Sequence, residues 1–387
     1  MSEFTRPPRI VIAGGGTGGH VLPAVAVLEE LARRAEPVEL QWIGSASGLE
    51  REEAEARGIA FVIIQAGKFR RYASLHTIPD AARIPIGTIQ ARKAVRQFRP
   101  DVVFSTGGFV SVPTVIAAWR LAPVITHEQT ATIGLANRIN SRFSRVMALS
   151  FPETASRSRL TSDRSIVTGN PVRASILDGQ PDRVYDHFAL DPALPLLFVT
   201  GGARGSSPLN VRVEGVLSQL LDLTQIIHQT GPKEANSDYL RLVALRDALT
   251  PERQQRYRII EYIRDEMSDI FAASSLVLCR SGAGMVAELA VLGKPSILIP
   301  LPGSGGGEQQ LNAKVLGDVG GAVVLEQAEA TPDRLLREVR HLLETPGKLD
   351  SMRTRALSVA SPDAARHLTD VILELVKESR RSRGQPL

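Results

Sequence analysis

An apolar run that ends in glycines and leads into a helical pattern opens each half of this 387-residue chain. Residues 9–13 run into Gly14-Gly15-Gly16-Thr17-Gly18-Gly19-His20, and residues 196–200 into Gly201-Gly202-Ala203-Arg204-Gly205-Ser206-Ser207. Strand, tight turn and helix in that order build a parallel sheet flanked by helices, and such sheets take ligands at the carboxyl ends of their strands. Further strand-like runs lie at 38–43, 58–65, 101–105, 123–127, 145–149 and 165–168, then at 225–229, 258–261, 276–279, 296–300 and 322–325. A chain of this length exceeds a usual single core. The expected fold is α/β, with two Rossmann-like doubly wound parallel-sheet domains facing across a cleft.

The turn Gly169-Asn170-Pro171-Val172-Arg173 and the polar connector at 178–191 separate the halves. The expected domains are 1–172 and 173–350, with 351–387 supplying a C-terminal helix that packs back toward the first domain. Residues 1–8 and the basic tail from 379 read as loose.

The stretch 276–312 carries the most chemistry. An apolar strand ends at Cys279-Arg280, and Ser281-Gly282-Ala283-Gly284-Met285 opens a helix that contains Glu288. Small residues at a helix start let backbone N–H groups approach an anion, which the helix dipole also favours. Glu288 accepts hydrogen bonds and suits a ribose diol. After a second strand and the glycine loop 303–307, Gln309 and Gln310 offer carboxamides that suit sugar hydroxyls. The bland alternative is an ordinary strand–helix pair with solvated glutamines.

Gly14, Gly16 and Gly19 match the dinucleotide fingerprint G-x-G-x-x-G, but the second strand lacks the acid that would hold a ribose, and none follows until Glu50. Five glycines in six positions imply a backbone approached closely by something bulky. His20 follows the last of them at a helix start, which favours the neutral imidazole, a form able to take a proton. His127-Glu128-Gln129 is not a zinc motif, because position 131 is Ala131. No D-x-D pair occurs, so a carboxylate-held metal on a diphosphate is not indicated and no cofactor is expected.

A single cysteine, Cys279, excludes an internal disulfide and fits a reducing cytosol. No signal peptide and no apolar run long enough to span a bilayer is read. The net charge of +5 leaves open an anionic partner, and residues 68–99 concentrate it. There Lys68, Arg70, Arg71, Arg83, Arg92, Lys93, Arg96 and Arg99 face one acid, Asp80, with Leu75, Ile78, Ile84, Ile86 and Ile89 interleaved. That composition suits an anionic membrane surface, or else a solvated helix face over a core stripe. Nucleic acid is not expected as a partner, since no zinc-finger spacing or aromatic RNA-binding motif occurs.

Taken in order, Gly14–His20, the turn 106–109, His127-Glu128-Gln129, Asn170-Pro171-Val172-Arg173, residues 279–288 and Gln309-Gln310 resemble the MurG family over residues 9 to about 375. The resemblance implies a GT-B architecture and a peripheral enzyme on the cytoplasmic side of the membrane. It also implies transfer, with inversion, of N-acetylglucosamine from UDP-N-acetylglucosamine to undecaprenyl-linked muramyl-pentapeptide in peptidoglycan biosynthesis. Donor contacts would fall on Arg173, Ile263, Ala283, Gly284, Met285, Glu288, Gln309 and Gln310, with Thr17, Gly18 and Gly19 near a diphosphate and His20 as the base. Thr130 stands where the family usually has asparagine, Ala203 where it has serine, with Ser206 as a substitute, and Met285 where it has threonine. The rival readings are a related transferase with another donor or lipid acceptor, an NAD-dependent oxidoreductase and a non-catalytic sugar-nucleotide binder.

Overall fold

A computed structural model describes residues 4–16, 18–46, 48–67, 77–158, 163–234, 237–264 and 266–386, with the backbone alone at 77–82 and 157–158. The chain forms two compact units, Met1–Arg173 together with Pro362–Leu387, and Ala174–Ser361.

In the first unit the described residues form a seven-stranded sheet from β1 (Arg9–Gly14), β2 (Glu39–Gly44), β3 (Ala60–Ile63), β4 (Val102–Gly107), β5 (Val124–Glu128), β6 (Val146–Leu149) and β7 (Ser165–Val167). Its order is β3-β2-β1-β4-β5-β6-β7, with every neighbouring pair parallel. The second unit holds β8 (Leu196–Thr200), β9 (Gln225–Gln229), β10 (Tyr257–Ile260), β11 (Leu276–Cys279), β12 (Ser296–Leu298) and β13 (Ala322–Val324). They pair in parallel as β10-β9-β8-β11-β12-β13. Both sheets carry helices on both faces, so their central strands are continuous apolar runs rather than alternating ones. Ile10, Val11, Ile12 and Ala13 are buried, as are Leu276, Val277, Leu278 and Cys279.

Strand order reverses beside the first strand of each unit, between β1 and β4 and between β8 and β11. Helices start from the turns at those points because the glycines end the strands and small residues follow. The helix Ala283–Leu292 begins after Gly282 and stops at Gly293, whose φ of 60° closes it. Thr331 accepts a bond from the Arg334 amide to cap the helix Pro332–Glu344, which buries Leu335, Val339 and Leu342 on one face.

Among the described residues, both terminal segments are tied down where they were expected to be loose. Phe4 is buried in the first core, and Arg380 lies over its ring at 5.1 Å. The last helix runs Ala364–Ser382 and adds Leu368, Ile372, Leu375 and Val376 to that core. Past residue 378 the helix buries Ser379 and Arg380, with Asp101 accepting from Arg380, and Arg383 donates to the carbonyls of Pro100 and Leu121. The return to the first unit comes at Pro362, and the helix Lys348–Leu357 stays with the second.

Candidate active site

The glycine turn of the first unit is closely approached, but by the chain itself. A Cβ on Gly14 would overlap the Thr106 hydroxyl, one on Gly15 the Glu50 carboxylate, and one on Gly16 would come 2.9 Å from the Phe109 ring. The bulky neighbour inferred from the glycine excess is therefore internal at these three positions. Glu50 Oε2 accepts the Gly16 amide at 2.9 Å, which leaves a dinucleotide's pyrophosphate no seat there. The oxidoreductase reading loses its phosphate site as well as its ribose contact.

His20 stands in the first turn of the helix Gly18–Arg33, beside half-buried Gly18 and exposed Gly19. Its Nδ1 lies 3.0 Å from the Thr106 carbonyl oxygen, and Thr106 Oγ1 donates back to the His20 carbonyl at 2.5 Å. A carbonyl only accepts, so Nδ1 carries the hydrogen, and in the neutral ring Nε2 is the nitrogen with the lone pair. Thr17 lies outside the described residues.

His127, at the end of β5, is fully buried with Nε2 3.1 Å from the Gly169 carbonyl oxygen. Burial lowers it to about 4 against the opposing pull of that bond, with His20 adding a smaller lowering, and it is neutral at pH 7. Glu128 spends its oxygens on the loop that follows, accepting from the amides of Thr130 and Gly134, the Thr130 hydroxyl and Asn137 Nδ2. The Thr130 side chain is thus engaged in shaping its own loop. Arg173, half-buried, is the last residue of the first unit before the chain crosses over.

The other expected donor residues all belong to the second unit, along the carboxyl edge of its sheet. Ser206 follows β8, buried Ile263 follows β10, Ala283, Gly284, Met285 and Glu288 follow β11, and Gln309 and Gln310 follow β12. Gly201 and Gly205 are packed against backbone as closely as the first turn, whereas three other glycines along this edge are open. A Cβ on Gly202, Gly282 or Gly284 meets nothing within 4 Å. Open backbone therefore lies at the start of the helix Ala283–Leu292, where the helix dipole favours an anion.

Arg280 joins the two turns at this reversal of strand order. It is 7% exposed, and its Nε donates to Ser206 Oγ at 3.0 Å. Its other nitrogens donate to the carbonyls of Ile299 and Pro300 and to Gln327 Oε1. None of these partners carries a charge. Burial, with Arg212 nearby, lowers the guanidinium to about 10, so it remains a cation at pH 7. No role was assigned to Arg280 from sequence. The available signal was a charged residue wedged between an apolar strand and a Ser-Gly turn.

The two glutamines divide their work. Gln309 Oε1 accepts the Leu301 amide at 2.9 Å and its carbonyl accepts the Ser281 hydroxyl at 2.8 Å, so it braces the loop. Gln310 Oε1 is buried without a hydrogen-bond partner and is the carboxamide left for a ligand donor. Glu288 is 7% exposed, on the helix that starts from the open glycines.

Known proteins match this arrangement along its whole length. Residues 10–149 match the glycosyltransferase family 28 N-terminal domain and residues 196–368 its C-terminal domain. A UDP-N-acetylglucosamine–N-acetylmuramyl-(pentapeptide) pyrophosphoryl-undecaprenol N-acetylglucosamine transferase of Treponema pallidum is 38% identical, covering 95% of this chain and 96% of the relative. The chain belongs to the MurG family. A MurG relative from Anaeromyxobacter dehalogenans is 36% identical over 98% of this chain and 95% of its own. The crystal structure of Acinetobacter baumannii MurG superimposes with a TM-score of 0.69 at 27% identity, covering 95% of this chain and 100% of that one. Membership of the MurG family makes the two parallel-sheet units the domains of a GT-B glycosyltransferase.

Proposed function

We propose that this chain transfers N-acetylglucosamine from UDP-N-acetylglucosamine to the C4 hydroxyl of undecaprenyl-pyrophosphoryl-N-acetylmuramyl-pentapeptide, turning lipid I into lipid II with inversion at the anomeric carbon. One observation carries the reading. In the second unit, open glycines 282 and 284 head a helix beside Arg280, a buried cation whose hydrogen-bond partners are all neutral. A nucleotide diphosphate supplies the missing negative charge, and the leaving UDP gathers still more as the glycosidic bond breaks.

The donor lies on Ser206, Ile263, Ala283, Gly284, Met285, Glu288 and Gln310, with Arg173 contributing from the linker and Gln309 shaping the loop. Glu288 takes ribose hydroxyls and Gln310 Oε1 accepts a sugar hydroxyl. His20 receives the acceptor's hydroxyl proton at Nε2, its tautomer held by the Thr106 carbonyl. The freed oxygen attacks the anomeric carbon from the face opposite UDP. Gly18, where an added Cβ meets only Leu49 at 3.7 Å, and Gly19 sit beside a diphosphate. Thr130 acts through its loop, since its hydroxyl is already engaged with Glu128.

The acceptor is a lipid, and the first unit offers a surface for its bilayer. The helix Thr77–Phe98 exposes Ile86 and Ile89, the latter 71% exposed, alongside Lys93 and Arg96. Trp119, 44% exposed, carries the Arg120 guanidinium 4.3 Å over its ring. Apolar side chains among cations suit the headgroup region of an anionic membrane. Lys68, Arg70, Arg71 and Leu75 lie outside the described residues, as do the side chains of Ile78 and Asp80.

Incubation with UDP-N-acetylglucosamine and a muramyl-pentapeptide lipid, followed by mass identification, tests the reaction. The expected product gains one N-acetylglucosamine, and release of UDP without that mass shift counts against it. Sedimentation with vesicles containing anionic lipid tests the surface, with Ile89→Glu expected to weaken binding.

A further inference from the structure

We propose that Glu50 is the resident anion of the first glycine turn and a positioning residue for His20. Its carboxylate is fully buried at the start of the helix Leu49–Ala56. Oε2 accepts from the Gly16 amide at 2.9 Å, and Oε1 from the Ser45 amide at 3.1 Å and the Ser45 hydroxyl at 2.6 Å. Gly15 and Gly48 wall this carboxylate and Gly44 its Cγ, and a Cβ on any of them would overlap Glu50 atoms. Three glycines from two separate turns thus build a cradle for a carboxylate that the chain itself supplies. A phosphate meeting the Gly16 amide would have to displace it against like charge.

The consequence is a division of labour between the glycine turns. Gly14, Gly15 and Gly16 of the first turn are closed by internal side chains and serve as a rigid mount, while Gly282 and Gly284 stay open to a ligand. Glu50 ties the turn after β2 to Gly16, four residues before His20, while Thr106 holds His20 from the other side. Glu50 touches no reacting atom. Its effect on turnover passes through Gly16 to the helix that carries His20, and that part of the proposal rests on reading His20 as the base.

The charge and the shape of Glu50 separate experimentally in the full-length chain. In Glu50→Ala, turnover is expected to fall at least tenfold with UDP affinity within twofold of the parent. Sodium formate is expected to restore turnover saturably, where sodium chloride does not. Glu50→Gln keeps the shape but points an NH2 group at the Gly16 or the Ser45 amide, so a similar loss is expected. Parent-like turnover in either variant overturns the positioning role, as does a folded, UDP-binding Glu50→Ala that formate fails to revive. Amide NMR reads the occupancy independently of catalysis. The Gly16 resonance is expected to move in Glu50→Ala, to return with formate, and to ignore inorganic pyrophosphate in the parent. A pyrophosphate-induced shift of the parent's Gly16 overturns the occupancy. Undiminished turnover in a parallel His20→Ala removes the base assignment alone.

Discussion

Arg380 Nη2 lies 2.9 Å from Asp101 Oδ2, and both side chains are fully buried although 279 residues separate them. Asp101 also accepts the Arg9 amide and Arg6 Nη2, while Arg380 donates to the carbonyls of Arg6 and Pro7. The pair therefore fastens the last helix and the N-terminal segment to the start of β4. Removing one partner of such a pair strands the other charge and costs about 3–5 kcal/mol. Arg380→Ala is expected to lower the unfolding midpoint in urea by that equivalent. Truncation after residue 378 is expected to do the same, where a loose tail would leave the midpoint unmoved.

Replacing His20 with Ala removes the lone pair that Nε2 offers. A general base contributes about 10²–10⁴-fold, so kcat is expected to fall in that range. UDP affinity should stay within about twofold, because a change near RT ln 2 is below 0.5 kcal/mol. Steady-state kinetics with UDP titration decides it, and unchanged kcat removes His20 from the mechanism.

Gly282→Ala and Gly16→Ala should part company. At Gly282 the backbone angles of −62° and 147° suit any residue, and the added methyl meets nothing. The lost N-cap preference offsets the entropic gain, so stability is expected to stay within about 1 kcal/mol, while UDP binding weakens because the methyl occupies the phosphate's approach. At Gly16 φ is +90° and Phe109 is in the way, so the variant loses stability without any ligand present. Equal UDP affinity in Gly282→Ala and the parent would place the diphosphate elsewhere.

Arg280→Met deletes a buried cation from the junction of the two second-unit turns. Hydrogen bonds to a charged group contribute about 1.5–3 kcal/mol, equivalent to about 10- to 100-fold in UDP affinity. Lysine is expected to recover little, because its ammonium cannot reproduce a planar fork reaching Ser206, Ile299 and Gln327 together. Isothermal calorimetry with UDP, with Ser206→Ala alongside, checks this.

Two neutral histidines give the fold an acid sensitivity. Burial lowers His127 to about 4 and His228 to about 3, from an ordinary 6.5. His228 is held between Tyr257 Oη at 2.9 Å and Asn210 Oδ1 at 3.0 Å. Above pH 6.5 neither state binds these protons, so both contributions are intact. As pH falls below 6.5 only the unfolded chain takes them up, and each site loses about 1.4 kcal/mol per pH unit until its folded value is reached. Urea unfolding between pH 7 and 4 is expected to show this slope, reduced by about one proton in His228→Asn. A slope unchanged in that variant contradicts the assignment.

The chain's local patterns were enough for the architecture. Apolar runs of strand length, glycine turns and helix starts are read over a few neighbours, and alternation of strand with helix leaves a parallel sheet as the economical way to bury both faces. The same patterns marked residues 276–312, because Ser281-Gly282-Ala283-Gly284 and Gln309-Gln310 are contiguous signals. The partners of Arg280, of Glu50 and of the terminal segments were not legible, since nothing beside these residues in the chain announces them.

By sequence alone, then, this protein was an α/β chain with glycine turns after the leading strands of its two halves and a histidine at the first of them. Only the tertiary structure decided which glycines are available to a ligand. Gly14, Gly15 and Gly16 are filled by Thr106, Glu50 and Phe109, whereas Gly282 and Gly284 face empty space. A glycine reports that its backbone is approached, but the identity of the approaching group depends on side chains brought in by folding from distant parts of the chain.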